Sequence, residues 1–534
     1  MVKNRVYIKG EHPIRQAVSE QYIRLGFKVY DWPQNTVELL EFQNCSEWVI
    51  LTPDTTVDKM HVDMDTIQLL KSLAEQVMDK VDGRPTVHVL FQSSLTLDLL
   101  LKYGSLSFIG QHLDLYPFTL EGMWAKNVLV GLPGITASVY PPLDRRPITA
   151  ESKDRIHLVL YGWDGYAEEL ALHTALIAHF PNYRSNDEIP IRTRITVLDE
   201  DIIRKRDLFV ARYQSLFDHS FYRTISLIDK RIFSFHQPVY EGKRKDFVDV
   251  EWEFVEGSVT DVLFRNKLMT WAKDEDRQLT IALSHGDDED NLKHGLSLPN
   301  EVYDSKIPVL VRMSRKCDAD VWMTDNHPQC IYPFGMSDCG YNVTLPLIRM
   351  AKLLKYFYDC SYGNQGIPTV FSMEEVEKSW IQEPSLKMRF SNIYNVMTIP
   401  TKMHSLGHDR MDVGAYYALN RQEIELLAET EHNRWSVERL IQGDRPCTEE
   451  EKLLIRKNIQ QILEARNQNR ELPEDMKKKY KRENHIHYDL CAYDELEMDA
   501  TGKNVQTYDY DLTAAIPLIY KTYMEHIGYE DRTV

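Results

Sequence analysis

Short apolar runs that stop at glycine alternate with stretches of helical period through the first two thirds of the chain. RVYIKG (Arg5–Gly10) reads as a strand, HPIRQAVSEQYIRLG as a helix closed by Gly26, and FKVYDW as a second strand carrying Asp31. WVILTP (Trp48–Pro53) and TVHVLFQ (Thr86–Gln92) are unbroken apolar runs, the pattern of strands covered on both faces of a parallel sheet. The pattern then repeats. IHLVLYG (Ile156–Gly162) is a strand, YAEELALHTALIAHF a helix and ITVLDED (Ile195–Asp201) a strand, followed by FVEGSV (Phe254–Val259), LTIALSHGDDEDN (Leu279–Asn291) and IPVLVRM (Ile307–Met313). This alternation predicts an α/β protein with two parallel-sheet domains, 1–150 and 151–345. From about Asn342 the period becomes helical, in LPLIRMAKLLKYFYDC, FSMEEVEKSW and SNIYNVMTIPTKMHSLG, which predicts a helical connector over 346–415 and a last domain over 416–534.

An uninterrupted helical stretch opens that last domain. Ile424 to Gln442 contains neither Gly nor Pro, is rich in strong helix formers, and is followed by Gly443. At about 100° per residue, Leu426, Leu427, Val437, Leu440 and Ile441 spread over one broad side, with Ile424 at its margin. His432, Trp435 and Arg439 fall within an arc of roughly 60° on the adjoining flank. An indole, an imidazole and a guanidinium so placed can stack on a purine and hold an anionic group. The alternative is a helix whose Trp completes the core and whose Arg and His are solvated. Asp511 precedes LTAAIPLIYKTYMEHIG, which reads as one closing helix with Asp511 as its N-cap.

Composition narrows the function classes. A net charge of −18 opposes phosphate-backbone binding, so no nucleic acid is expected as partner. The run Lys477-Lys478-Lys479 with Lys481 and Arg482 sits among acidic and polar residues and reads as a solvated loop. Seven scattered cysteines without a CxxC pair suit reduced cytosolic thiols rather than a disulfide framework or a zinc site. With no signal-peptide core and no apolar run of about 18 residues, the chain is expected to be cytoplasmic and not membrane-inserted.

Asp31 lies 21 residues after Gly10, a spacing that suits a carboxylate accepting from ribose hydroxyls, but Glu11, His12 and Pro13 replace the glycines of a phosphate loop. In the second unit, Gly162 and Gly165 form the turn and Asp199 ends the second strand, 37 residues after Gly162, which implies an insertion near Pro181–Pro190. The second unit is the better candidate for nucleotide binding. No nucleophile–base pair, metal cluster or two-carboxylate site appears at motif spacing, and His285 beside Asp287 and Asp288 reads as a polar loop, so no enzymatic constellation is expected.

YGWDGYAEELAL, ITVLDED, EFVEGSVTD, LTIALSHGDDEDN and IPVLVRM, in that order, are similar to the TrkA-N (RCK-N) domain, and the first 150 residues resemble a degraded copy. LLAETEHNRWSVERLIQG, HYDLCAYDEL (His487–Leu496) and YDYDLTAAIPLI (Tyr508–Ile519) resemble the RyR domain of ryanodine receptors, as found in bacterial chains that join the two modules. The chain departs from the usual GW-x-Y-G after the first RyR helix, carrying Gly443-Asp444-Arg445-Pro446. The resemblance implies two tandem Rossmann-like domains and a mainly helical RyR domain. It implies a cytoplasmic ligand sensor taking NAD, an adenine nucleotide or a nucleotide-derived signal, linked to potassium transport or to a defence or stress response, and acting through a homo-oligomer, a regulated transporter or an effector partner. Expected ligand contacts are His432, Trp435, Arg439, His487, Asp489, Tyr493 and Asp511, with Gly162, Gly165 and Asp199 for a cofactor. The alternatives are a nucleotide-processing enzyme and a non-binding interaction scaffold.

Overall fold

The computed structural model describes residues 5–33, 46–54, 58–78, 84–103, 107–130, 140–238, 240–316, 318, 328–342, 345–363, 366–383, 385–408, 419–471 and 485–530. The Lys477–Arg482 basic run, Cys45 and Cys317 lie outside the described residues.

The apolar runs at the N-terminal end become strands because both of their faces are covered. β1 (Arg5–Lys9), β2 (Lys28–Asp31), β3 (Ser46–Ile50), β4 (Thr86–Leu90) and β5 (Asp114–Phe118) form one all-parallel sheet in the order β2-β1-β3-β4-β5. Helices α1 (Arg15–Arg24), α2 (Lys59–Met78), α3 (Ser94–Tyr103) and α4 (Leu120–Leu129), with a short helix at Ser107–His112, belong to this unit. β5 was not legible in the sequence. Its Pro117 cannot donate to a ladder, which is tolerated here because β5 is an edge strand.

The second sheet has eight strands: β6 (Arg155–Tyr161), β7 (Thr193–Asp199), β8 (Phe221–Ser226), β9 (Arg231–His236), β10 (Val250–Glu256), β11 (Arg277–Leu283), β12 (Val309–Arg312) and β13 (Ile331–Phe334). Their order is β13-β12-β11-β6-β7-β10-β8-β9, parallel except for the β8–β9 hairpin. α5 (Gly165–Ile177) follows β6, and α6 (Ile202–Arg212) follows β7. The long interval before Asp199 is irregular chain between α5 and β7. β9 ends the sheet with Ile232, Phe233 and Phe235 exposed at 62%, 44% and 63%, and its ladder with β8 is irregular at Thr224/Ile225.

The strand order reverses between β1 and β3 in the first sheet and between β6 and β11 in the second, an arrangement that opens a crevice at the carboxyl ends of those strands. The two carboxyl edges meet through α4 and α5, so closely that a Cβ on Gly165 would stand 3.3 Å from the Glu121 side chain.

The helical part contains α7 (Leu345–Tyr362), α8 (Met373–Gln382), α9 (Leu386–Met397), α10 (Ile399–His404), α11 (Arg421–Ile441), α12 (Glu449–Asn467), α13 (Gln506–Ala514) and α14 (Ile516–Glu530). It is bound to the first sheet by Asp114, whose Oδ1 accepts from Trp380 Nε1 at 3.1 Å and from Arg389 Nη1 at 2.8 Å. One continuous apolar cluster contains Val6, Leu158, Leu353, Leu440 and Tyr520, so both sheets and the helices share a core. No helix among the described residues is long and apolar enough to cross a membrane.

Candidate ligand cavity beneath helix α11

α11 begins with a reciprocal cap: Asn420 accepts from the Glu423 N–H at 3.1 Å, and the Glu423 carboxylate accepts from the Asn420 N–H at 2.8 Å. Its apolar side is buried as the pattern predicts, with Leu427, Val437 and Leu440 at 0% exposure. The flank beside it does not face solvent, which corrects the expectation for two residues. His432 is 2% exposed and Arg439 is 1% exposed, because α7, α9 and α13 close over that flank. Trp435 alone between Thr430 and Leu440 stays half-buried.

What the flank faces is a cavity of about 130 Å³. His432, Trp435, Arg439, His487 and Asp489, five of the seven expected contacts, line it together. Tyr358, Met388, Asn392, Asn395 and Asp509 complete much of the wall, so the connector helices α7 and α9 supply part of the site. The His432 ring lies stacked on Trp435, with centroids 5.6 Å apart and planes at 28°. His487 meets the same indole edge-on at 4.8 Å, and the Arg439 guanidinium lies 5.5 Å from the Trp435 ring. Arg439 also contacts Gln442 Oε1 at 3.2 Å and reaches the Asp444 carboxylate at 3.9 Å.

Burial opposes the charged form of His432. Its contact with Asp509 (3.3 Å), the Cys491 carbonyl and the Asp489 charge outweigh this and hold its pKa above the ordinary 6.5. The Tyr358 phenol is pushed up to about 12 by burial and by Tyr362 and Asp489, with Arg439 opposing, so it remains an O–H donor at neutral pH.

Part of the cavity wall is a charged network that the sequence does not show as buried. Arg434, buried within α11, donates to Glu431 at 3.0 Å and to Glu438 at 2.9 Å. Glu431 also takes Lys402 Nζ at 2.6 Å and Asn395 Nδ2 at 2.7 Å, and Glu438 accepts from Ser391 at 2.9 Å. The signal was present, since Glu431, Arg434 and Glu438 recur at i, i+3 and i+7. Paired charge of this kind can be buried, which defeats a reading that assigns every charge to solvent.

Two expected contacts lie elsewhere. Tyr493 lines a separate open surface cleft of about 810 Å³ with Arg244, Arg421, Glu425 and Glu429, although its ring reaches within 5.7 Å of the His432 ring. Asp511 is not an N-cap. α13 already starts at Gln506, whose N–H is taken by Asn504 at 3.0 Å, and Pro517 divides the supposed closing helix into α13 and α14. Mid-helix, Asp511 accepts from Ser361 at 2.5 Å and Lys503 at 3.1 Å, outside the cavity wall.

In the second sheet, the carboxylate of Asp199 is 2% exposed and already accepts from Trp163 N–H (3.1 Å), Asp201 N–H (2.8 Å) and Lys205 (2.7 Å). Gly162 has φ +86°, and a Cβ there would stand 2.4 Å from the Ser284 carbonyl and 2.6 Å from His285 Cα, so its smallness serves the protein's own backbone. Asp164 caps α5 by accepting from Ala167 N–H at 3.0 Å, and Glu121 stands over Gly165. His285 stacks on Tyr161 at 4.6 Å and contacts Glu200 at 2.8 Å. In the first sheet, Arg15 bridges Gly10 O at 2.7 Å and Asp31 at 2.5 Å. No group of three or more metal-ligating side chains occurs among the described residues.

No family model matches the chain, and no curated protein matches its sequence.

Proposed function

We propose that the chain is a nucleotide-sensing regulatory protein in which an RyR-like helical module, built on two tandem Rossmann-like sheet domains, holds its ligand in the cavity beneath α11. One observation carries the reading: His432, Trp435 and Arg439 of α11 border the same cavity as His487 and Asp489 from the segment after α12. An aromatic face with a fixed cationic fork beside it suits a purine that carries an anionic group. The crevice of the second sheet is a structural seat in this reading, since its turn and Asp199 are engaged internally. An output in potassium transport or in a defence or stress response follows from the resemblance alone.

The test is a panel of purine mononucleotides, cyclic nucleotides and NAD, screened by thermal shift against the full chain. A stabilising ligand whose effect is lost in Arg439→Lys supports the assignment, because a point charge does not reproduce a bidentate fork. A ligand whose binding ignores Arg439→Lys and Trp435→Ala but fails in Asp199→Ala would move the site to the second sheet.

A further inference from the structure

We infer that loop 240–244 of the second sheet unit is a clamp that positions the His487–Glu495 wall of the cavity, so that ligand affinity is set by residues outside the cavity. The inference rests on the cavity reading above and adds positioning residues that touch no ligand.

The loop stands on a fixed root between β9 and β10. Asp246 is 1% exposed and accepts from Arg192 Nη2 at 2.5 Å and from the Tyr183 phenol, and Phe247 and Val248 belong to the shared core. From that root the loop reaches the segment after α12. The Glu495 carboxylate accepts from the Lys243 N–H at 2.5 Å, the Arg244 N–H at 3.3 Å and the Tyr240 hydroxyl at 2.8 Å. Bonds to a charged acceptor are the strong ones. The same hydroxyl accepts from the Ala492 N–H at 3.0 Å. Arg244 spans Glu429 of α11 at 2.8 Å and Asp494 at 2.9 Å.

What the clamp holds continues directly into the cavity wall. The carbonyl of Cys491, next to Ala492, meets His432 Nε2 at 2.9 Å, and Asp489 and His487 just before it border the cavity. Tyr240 of the clamp and Tyr358 of the cavity wall both pack against one small apolar cluster of Cys491, Leu496, Val505 and Tyr508. Gly242 is the position where size decides. A Cβ there would stand 2.2 Å from the Tyr240 ring and 2.6 Å from Glu495 Oε1, so a larger residue displaces both clamping groups. A loosened clamp lowers the fraction of molecules whose wall is in the binding position, and apparent affinity falls by that fraction. By reciprocity, an occupied cavity tightens the clamp.

The experiment reads the clamp through the Cys491 thiol. That thiol is 4% exposed and borders, with Gly242 and Lys243, a second cleft of about 270 Å³ rather than the ligand cavity. The full chain is labelled with iodoacetamide, Cys491 is followed by peptide mass spectrometry, and AMP, GMP and NAD are titrated by calorimetry. Gly242→Ala and Glu495→Ala should each speed Cys491 labelling roughly tenfold and weaken nucleotide binding by a similar factor, without a matching fall in melting temperature. Glu495→Gln, which keeps an acceptor oxygen, should recover most of both. A saturating nucleotide should slow the labelling of the unmodified chain. Unchanged labelling in the folded variants overturns the clamp. Faster labelling with unchanged nucleotide affinity overturns its positioning role. If none of the three nucleotides binds, the purine reading falls, while the labelling rates still uphold or overturn the clamp.

Discussion

Trp435 carries two burdens, packing against His432, His487 and Arg439 while lining the cavity half-buried. Trp435→Ala should therefore weaken ligand affinity roughly tenfold to a hundredfold. Its cost in stability should stay at or below the low end of the about 3–5 kcal/mol for a fully buried Trp. Melting temperature and affinity measured on the same variant decide this, and a large melting loss with intact affinity in the folded fraction would return Trp435 to the core. Glu431 makes a sharper forecast. Burial alone would raise its pKa, yet Arg434 and Lys402 pull it from 4.5 down to about 2. Because the folded value lies below the unfolded one, the stability it contributes is complete above pH 4.5 and drains away as pH falls toward about 2. At about 1.4 kcal/mol per unit the contribution is on the order of 3 kcal/mol. Acid unfolding of Glu431→Gln should show a shallower slope over that window than the unmodified chain, and an identical slope would sink the assignment.

At the scale of elements, the turn after β6 is where spacing and structure part. Gly162, Gly165 and Asp199 have the spacing of a nucleotide-binding turn, and Gly162 and Asp199 also make close contacts within the chain. Gly162→Ala should destabilise by several kcal/mol, since a Cβ at 2.4 Å from Ser284 O adds a clash to about 1–3 kcal/mol of left-handed strain. Asp199→Ala should cost about 1–3 kcal/mol of stability by orphaning buried donors, a loss that chemical denaturation reads directly. The strands with unbroken apolar runs were legible because burial on both faces leaves no ambiguity of period. β5 was hidden by Pro117, and β9 by exposed residues that follow no core face. The cover over the α11 flank was not legible, because one helix's period cannot reveal that α7, α9 and α13 lie over it. Asp511 failed for a comparable reason, in that Pro517 breaks the helix downstream while Asn504 starts it upstream.

For the whole molecule, a shared core and the Asp114 tie mean that the parts are not separable where the sequence suggests. A 416–534 fragment lacks α7 and α9 and would expose the buried Glu431, Arg434 and Glu438, so it should show no cooperative thermal transition; a sharp melt with near-UV dichroism would contradict this. The edge strand β9 has a different consequence, for molecules in suspension rather than for one molecule. Copies carrying a charge of −18 repel one another at long range, and this repulsion keeps the apolar Ile232–Phe235 edge from meeting its like. Added salt shortens the screening length from about 30 Å at about 0.01 M to about 3 Å at about 1 M, leaving the edge as sticky as before. The second virial coefficient from light scattering should therefore fall with ionic strength and turn negative, whereas Phe233→Lys with Phe235→Lys should keep it positive.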